Sequence, residues 1–307
     1  MLVRTVTLID APTSAGAYAP GQEDGPRALL DAGLREGLEA VGVTVHIGGQ
    51  ASPFRWRPDP ESPRAANAGA VIDRASQVAS LVRSAQAGDT ILVLGGDCTV
   101  GVGTVAGLLD RSARLGLVYV DRHADLNVPG STVDGALDWM GVAHMLDIDG
   151  AVDGLAALAG QRPMLSAEQI SFLGLGPHTD FEAEVIAERR LPVVDVRSAA
   201  SDPLGSARTA LSPLAACDSL AVHFDVDLVD FLDAPLAENT DRGTAPSLLA
   251  CGEILSALLR DERARALTVT EFNPHHGSQD GGTTQRLLQV LIKVLGESEC
   301  SVSSARS

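Results

Sequence analysis

LVYVDRHADLN, residues Leu117 to Asn127, is an apolar run that ends abruptly in charge. Its first four residues read as a strand, and Asp121, His123 and Asp125 follow at a spacing of two. Side chains two apart on an extended chain point the same way, so three candidate ligands leave the strand together. A second stretch, LAVHFDVD (220 to 227), repeats the arrangement with Asp225 and Asp227. Carboxylates with a single imidazole suit hard or borderline divalent ions such as Mn²⁺. The pattern reads as a two-metal hydrolytic site. The clusters lie about a hundred residues apart, so they meet only if their strands lie side by side in one sheet.

Working outward, short apolar runs alternate with helix-like stretches. Strands are expected at 3 to 9, 43 to 47, 90 to 94, 115 to 120, 169 to 173, 191 to 194, 219 to 224 and 266 to 269. Amphipathic helices are expected near 25 to 40, 68 to 86, 180 to 190, 247 to 260 and 282 to 295, the first with Pro26 near its start. This βα alternation implies an α/β fold with mainly parallel strands. A closed barrel and an open doubly wound sheet both fit it, and in either the site gathers at the carboxyl ends of the strands. Residues 48 to 67 carry four prolines with Phe54 and Trp56, and read as a long loop that either covers the pocket or is a surface insertion. Residues 1 to 295 read as a single domain, and the small polar tail 296 to 307 as frayed.

With 307 residues, 45% of them hydrophobic, the chain can bury a large core. Forty acidic against 23 basic residues give a net charge of −17, which disfavours nucleic acid and anionic membrane as partners and favours a small cation. The cysteines, Cys98, Cys217, Cys251 and Cys300, form no CxxC pair and no disulfide framework. No stretch has the length of a membrane span, and residues 1 to 10 lack the features of a signal peptide. A cytoplasmic protein is expected.

Four segments share one grammar, an apolar strand followed at once by polar groups: LVLGGDC (92 to 98), LVYVDRHADLN, LAVHFDVD and LTVTEFNPHH (267 to 276). One such Asp could be a helix cap or turn residue. Four in step argue for a shared site. Taken in order they resemble GGDH, DAHxD, SFDxD and ExNP, the fingerprints of the ureohydrolase superfamily of arginases, agmatinases and formimidoylglutamases. Residues 9 to 34 also look like that superfamily's opening strand, glycine-rich loop and first helix.

The resemblance implies a three-layer α/β/α fold, a doubly wound sheet of about eight mainly parallel strands. It implies two Mn²⁺ per chain, with Asp121 and Asp225 bridging, His123 and Asp227 completing one metal, and Asp125 with the side chain at 98 completing the other. Between such ions a bridging hydroxide attacks a linear amidine, the guanidino or N-hydroxyguanidino group of an amino acid or amine, and releases urea or hydroxyurea. Glu271 would orient the guanidinium, Asp125 would protonate the leaving amine, and Asn127, Asp134 and Asp180 would contact the substrate. Members of the superfamily often form homo-oligomers. Agmatinase or formimidoylglutamase activity, or a non-catalytic metal- or ligand-binding role, are the rival readings.

Two departures stand out. Cys98 replaces the histidine of GGDH, a soft ligand better matched to Zn²⁺, Fe²⁺ or Co²⁺ than to Mn²⁺. It either ligates as thiolate, stays neutral beside a weak site, or is inert. Similar replacements occur in arginase-like N-hydroxyarginine hydrolases. Asp138 stands where arginases have a proton-shuttling histidine, and it relays a proton, binds a cationic or N-hydroxylated group, or is structural. Trp139 and Met140 read as pocket wall or core, His178 as a substrate contact or a loop residue, and His275 and His276 as pocket lining or surface. Asn239 and Arg242 are candidate pocket residues, and Arg122 should point away from the metals.

Overall fold

A computed structural model describes residues 4 to 237 and 242 to 297. Asn239, Cys300 and residues 298 to 307 of the tail lie outside the described residues. Eight strands form one sheet: β1 (Thr5–Ala11), β2 (Thr44–Gln50), β3 (Thr90–Gly95), β4 (Leu115–Val120), β5 (Ile170–Leu175), β6 (Val193–Asp195), β7 (Ser219–Asp225) and β8 (Ala264–Thr270). Their order is β2-β1-β3-β8-β7-β4-β5-β6, and every neighbouring pair is parallel. The sheet is open, ending at β2 and β6, which excludes the barrel.

Strand alternation sorts the core into two layers. Leu92, Leu94, Val118, Val120, Leu220, Val222 and Phe224 pack on one face against helices 25 to 40, 196 to 211, 248 to 259 and 282 to 296. Ile91, Val93, Leu117, Tyr119 and Ala221 pack on the other against helices 68 to 84, 100 to 109, 141 to 145 and 180 to 189. Both faces are covered, so the central strands read as continuous apolar runs.

Several boundaries differ from the sequence expectation. The first helix is two, Gly25–Asp31 and Leu34–Ala40, because Gly33 adopts φ 96° between them. Strand β2 continues to Gln50 and takes the first residues of the proline-rich stretch. The rest of that stretch braces the segment after Asn127: Ala66 N–H donates to the Gly135 carbonyl at 2.9 Å, and Arg64 Nη1 to that of Thr132 at 2.6 Å. Helix Val100–Leu109 escapes an amphipathic search because all but its last residue are buried. No helix among the described residues is long and apolar enough to cross a membrane.

Candidate metal centre

Strands β4 and β7 are neighbours in a register that pairs Val120 with Phe224, so Asp121 and Asp225 emerge beside each other at the carboxyl edge. Strand β8 joins them on the far side of β7, and β3 follows, so all four fingerprint segments end together. One ligand atom from each of Asp121, His123, Asp225 and Asp227 lies within 4.8 Å of all the others. His123 Nδ1 is 2.9 Å from Asp227 Oδ2. Asp121 Oδ1 accepts the His123 backbone N–H at 2.6 Å, and Asp225 Oδ1 accepts that of Asp227 at 2.8 Å. Each cluster thus folds back on its own strand end, which fixes the carboxylates before any ligand arrives. Asp125, with φ 49°, accepts a hydrogen bond from Tyr119 Oη.

The third fingerprint partner comes from the GGDC loop. Gly96 permits it, since a Cβ there would lie 1.8 Å from the Thr13 carbonyl oxygen. Asp97 accepts N–H bonds from Gly16 and Thr99, each at 3.0 Å, and ties this loop to the opening glycine-rich segment. Cys98 Sγ then lies 3.2 Å from Asp225 Oδ2. Glu271, with φ 63°, turns its carboxylate under the same loop, where Oε1 accepts the Cys98 N–H at 2.9 Å and Oε2 the Gln22 amide at 3.3 Å.

So many buried acids are costly without a cation. Burial, then Asp125 and Asp227, hold Asp121 well above the carboxylate range; burial, then Asp227 and Asp121, do the same to Asp225. Burial pushes Asp125 up to about 7, against the bond from Tyr119. Glu271 is raised by burial and Asp97, and Asp138 by burial and Glu271. Burial works to lower His123, but Asp227 and the other carboxylates outweigh it and hold it well above the usual imidazole value. Burial and Asp225 raise the Cys98 thiol. Asp121 Oδ2 is buried with no hydrogen-bond partner. This acid-rich donor set with an unspent oxygen fits divalent cations.

Above the cluster opens a cavity of about 820 Å³. Cys98, His123, Asp125, Asn127, Asp134, Asp138, Asp225, Asp227 and Glu271 all line it, and no Lys or Arg does among the described residues. Asn127 Oδ1 accepts from Ser131 Oγ at 2.9 Å and Thr179 Oγ1 at 3.3 Å, which leaves its NH₂ to donate. Asp138 Oδ1 accepts the Trp139 N–H at 3.0 Å. Trp139 and His178 are on the wall, while Met140 is core. Asp180 is not brought in: it is the exposed first residue of helix Asp180–Arg189, and the capping pair Thr179 and Glu182 from the same turn lines the cavity instead. His275 meets Asp24 at the surface, 2.9 Å away, and His276 lines a separate cleft. Arg242 stacks over Phe231 outside the cavity, and Arg122 is buried outside it.

Sequence reading missed His223. Its Nε2 is 3.3 Å from Cys98 Sγ, and its ring stacks on Tyr119, its register partner on β4, at 4.3 Å and 6°. Burial pushes it down to about 3. The signal was available, because 223, 225 and 227 share the two-residue spacing used for the other ligands. Tyr18, whose ring meets Trp139 edge-on at 6.4 Å, was also missed on the wall, as was Glu182. No local pattern marked those two.

Comparison with known proteins agrees with this architecture. Residues 4 to 296 match the Arginase family. The chain is 31% identical to an arginase of Eremothecium gossypii over 288 residues, covering 90% of this chain and 71% of that one. It is 28% identical to an arginase of Agrobacterium fabrum over 305 residues, covering 95% and 91%. The crystal structure of Bacillus subtilis arginase has the same fold, with TM-score 0.85, 24% identity and coverage of 96% of this chain and 100% of that one. The chain therefore belongs to the Arginase family.

Proposed function

We propose that this protein hydrolyses a linear amidine, the guanidino or N-hydroxyguanidino group of an amino acid, with two divalent ions of the Mn²⁺ kind held by Asp121, His123, Asp125, Asp225, Asp227 and Cys98. The observation that carries the reading is the charge of the cavity, where every described charged side chain on the wall is an acid or a histidine. Such a wall attracts cations and repels anionic substrates. When bound, the ions supply Lewis acidity that brings the pKa of a shared water toward neutrality.

The side chains do the rest. Glu271 has one bond to each oxygen from the protein, from Cys98 and Gln22, and keeps lone pairs free for paired bonds to a guanidinium, fixing its plane. Asn127 offers its NH₂ to an α-carboxylate, which favours an amino acid over agmatine. Asp125 is tethered by Tyr119 beside the ligand cluster and hands a proton to the leaving amine. Asp138, buried on the wall and raised by that burial and by Glu271, stands in for the missing histidine as a relay.

The test is a panel of arginine, N-hydroxyarginine, agmatine, guanidinobutyrate and formimidoylglutamate, assayed with Mn²⁺ under reducing conditions for urea, hydroxyurea or formamide. Turnover of an amino-acid guanidine or hydroxyguanidine, with agmatine poor, is expected. Metal-loaded protein that turns over none of the five would end the proposal.

A further inference from the structure

His223 belongs to neither set of ligands that the fingerprints imply, yet it is the side chain best placed to change what Cys98 does. Cys98 Sγ, a carboxylate oxygen of Asp121 and a ring nitrogen of His223 lie within 4.8 Å of one another, all three residues buried. Sγ to Nε2 is 3.3 Å, and Sγ to Asp225 Oδ2 is 3.2 Å. A tetrahedral zinc with bonds of about 2.3 Å to sulfur and roughly 2.0–2.1 Å to nitrogen or oxygen sets those separations near 3.6 Å. The two measured separations from Sγ therefore stand a few tenths of an ångström short of those of a zinc site, and Asp121 lies within 4.8 Å of Cys98 and His223. A pure hard-donor site has no use for sulfur and imidazole together.

The surroundings are shaped to admit the ring. Tyr119 stacks on one side at 4.3 Å. Position 101 must be small, because a Cβ on Gly101 would sit 2.6 Å from His223 Nδ1. Nδ1 itself is buried with no hydrogen-bond partner, so the polar contacts of the ring are all made by Nε2, toward Cys98 and toward Thr270 Oγ1 at 3.1 Å. Thr270 Oγ1 is also 3.3 Å from Sγ, where a hydroxyl can donate to a thiolate. Asp121 Oδ2 supplies a second, independent sign of a missing partner, since it too is buried and unbonded. In fingerprint terms the loop reads GGDC for GGDH and the strand HFDVD for SFDxD. The imidazole lost at 98 returns at 223, 3.3 Å from Cys98 Sγ.

We infer that Cys98 and His223, with Asp121 and Asp225, form a soft-donor half of the metal centre that takes Zn²⁺ or Co²⁺ in preference to Mn²⁺, while His123 and Asp227 serve a hard ion. This rests on reading the acid cluster as a two-metal centre. The result is a mixed pair rather than two like ions.

Full-length protein, stripped of metal and kept reduced with a phosphine, is offered equal Mn²⁺ and Zn²⁺ and its content measured by mass spectrometry. One of each per chain is expected, and Co²⁺ in place of Zn²⁺ should give a sulfur-to-cobalt charge-transfer band. His223→Ser should weaken zinc by more than about 100-fold, beyond the 10–100-fold typical of a residue that only supports a ligand. Cys98→His with His223→Ser should take two Mn²⁺ and lose the band. Two Mn²⁺ in the unaltered protein, or a smaller loss in His223→Ser, overturns the inference. Should His223→Ser fail to fold, zinc-edge absorption of the unaltered protein decides: sulfur with imidazole supports the donor set, and sulfur without imidazole refutes it. None of these readouts is activity. A mixed pair with no amidine turnover would sink the proposed reaction alone, and two Mn²⁺ with turnover would sink the donor set alone.

Discussion

Replacing Asp225 by Asn should stabilise the metal-free protein and abolish its response to metal, two effects of opposite sign from one substitution. Ligand oxygens of Asp121 and Asp227 lie within 4.8 Å of that of Asp225. At that separation, with an effective dielectric near 20, each like-charge contact costs about 3–4 kcal/mol. Proton uptake limits the total, because burial, Asp227 and Asp121 raise Asp225 well above its ordinary range. Asn keeps an oxygen for the Asp227 N–H, now at 2.8 Å, so charge is removed with little loss of bonding. Allowing for relaxation, a gain of about 1–3 kcal/mol should raise Tm by several degrees. Unaltered protein at a hundredfold excess of metal over Kd should gain about 3 kcal/mol per site, and the variant far less. Thermal melts with chelator and with Mn²⁺ measure both arms. A variant that melts lower without metal, or that keeps the full metal shift, would refute the reasoning.

The same acids set the pH dependence of the metal-free protein. Asp125 is pushed up to about 7 by burial, so its folded form binds the proton more tightly than its unfolded form. That contribution is fully present below the unfolded value and is lost as pH rises toward 7, a loss of about 4 kcal/mol if Asp125 acted alone. Denaturant titrations in chelator should show stability falling from about pH 4 to 7, with metal reversing the fall; a steady rise in chelator would contradict it. Gly101→Ala should cost about 1–3 kcal/mol through overpacking against His223, although Ala is the better helix former by about 1 kcal/mol. An unchanged or raised denaturation midpoint would mean that the ring is free to move. Asn127→Ala should cut kcat/KM for an amino-acid guanidine by about 10–150-fold, the worth of a hydrogen bond to a charged group, and leave agmatine nearly untouched. Equal losses on both substrates would show that Asn127 does not read the carboxylate.

Most of the sheet was legible because each strand is a short apolar run bounded by polar residues, and all eight form where expected. Adjacency of β4 and β7 followed from chemistry alone, since Asp121 and Asp225 had to meet. Helix Val100–Leu109 was not legible, because it is wrapped on all sides and carries no polar stripe. The two short helices at 196 to 211 begin at Asp195 and Asp202, caps whose signal is local and shared with turns. In the site, a one-residue difference separated a contact from a bystander: Thr179 and Glu182 line the cavity, while Asp180 between them faces outward. His223 obeys the same two-residue spacing as Asp225 and Asp227, but it lies inside the apolar run of β7, where a buried imidazole carries no local mark of a ligand.

Crystals grown with Mn²⁺, with diffraction recorded on either side of its absorption edge, test the central claim most directly. Two metal peaks per chain are expected about 3.5–4 Å apart, between Asp121 and Asp225 on the floor of the acid-lined cavity, one of them fading in favour of zinc when zinc is added. A lone peak elsewhere, or none between those carboxylates at saturating metal, would contradict the account.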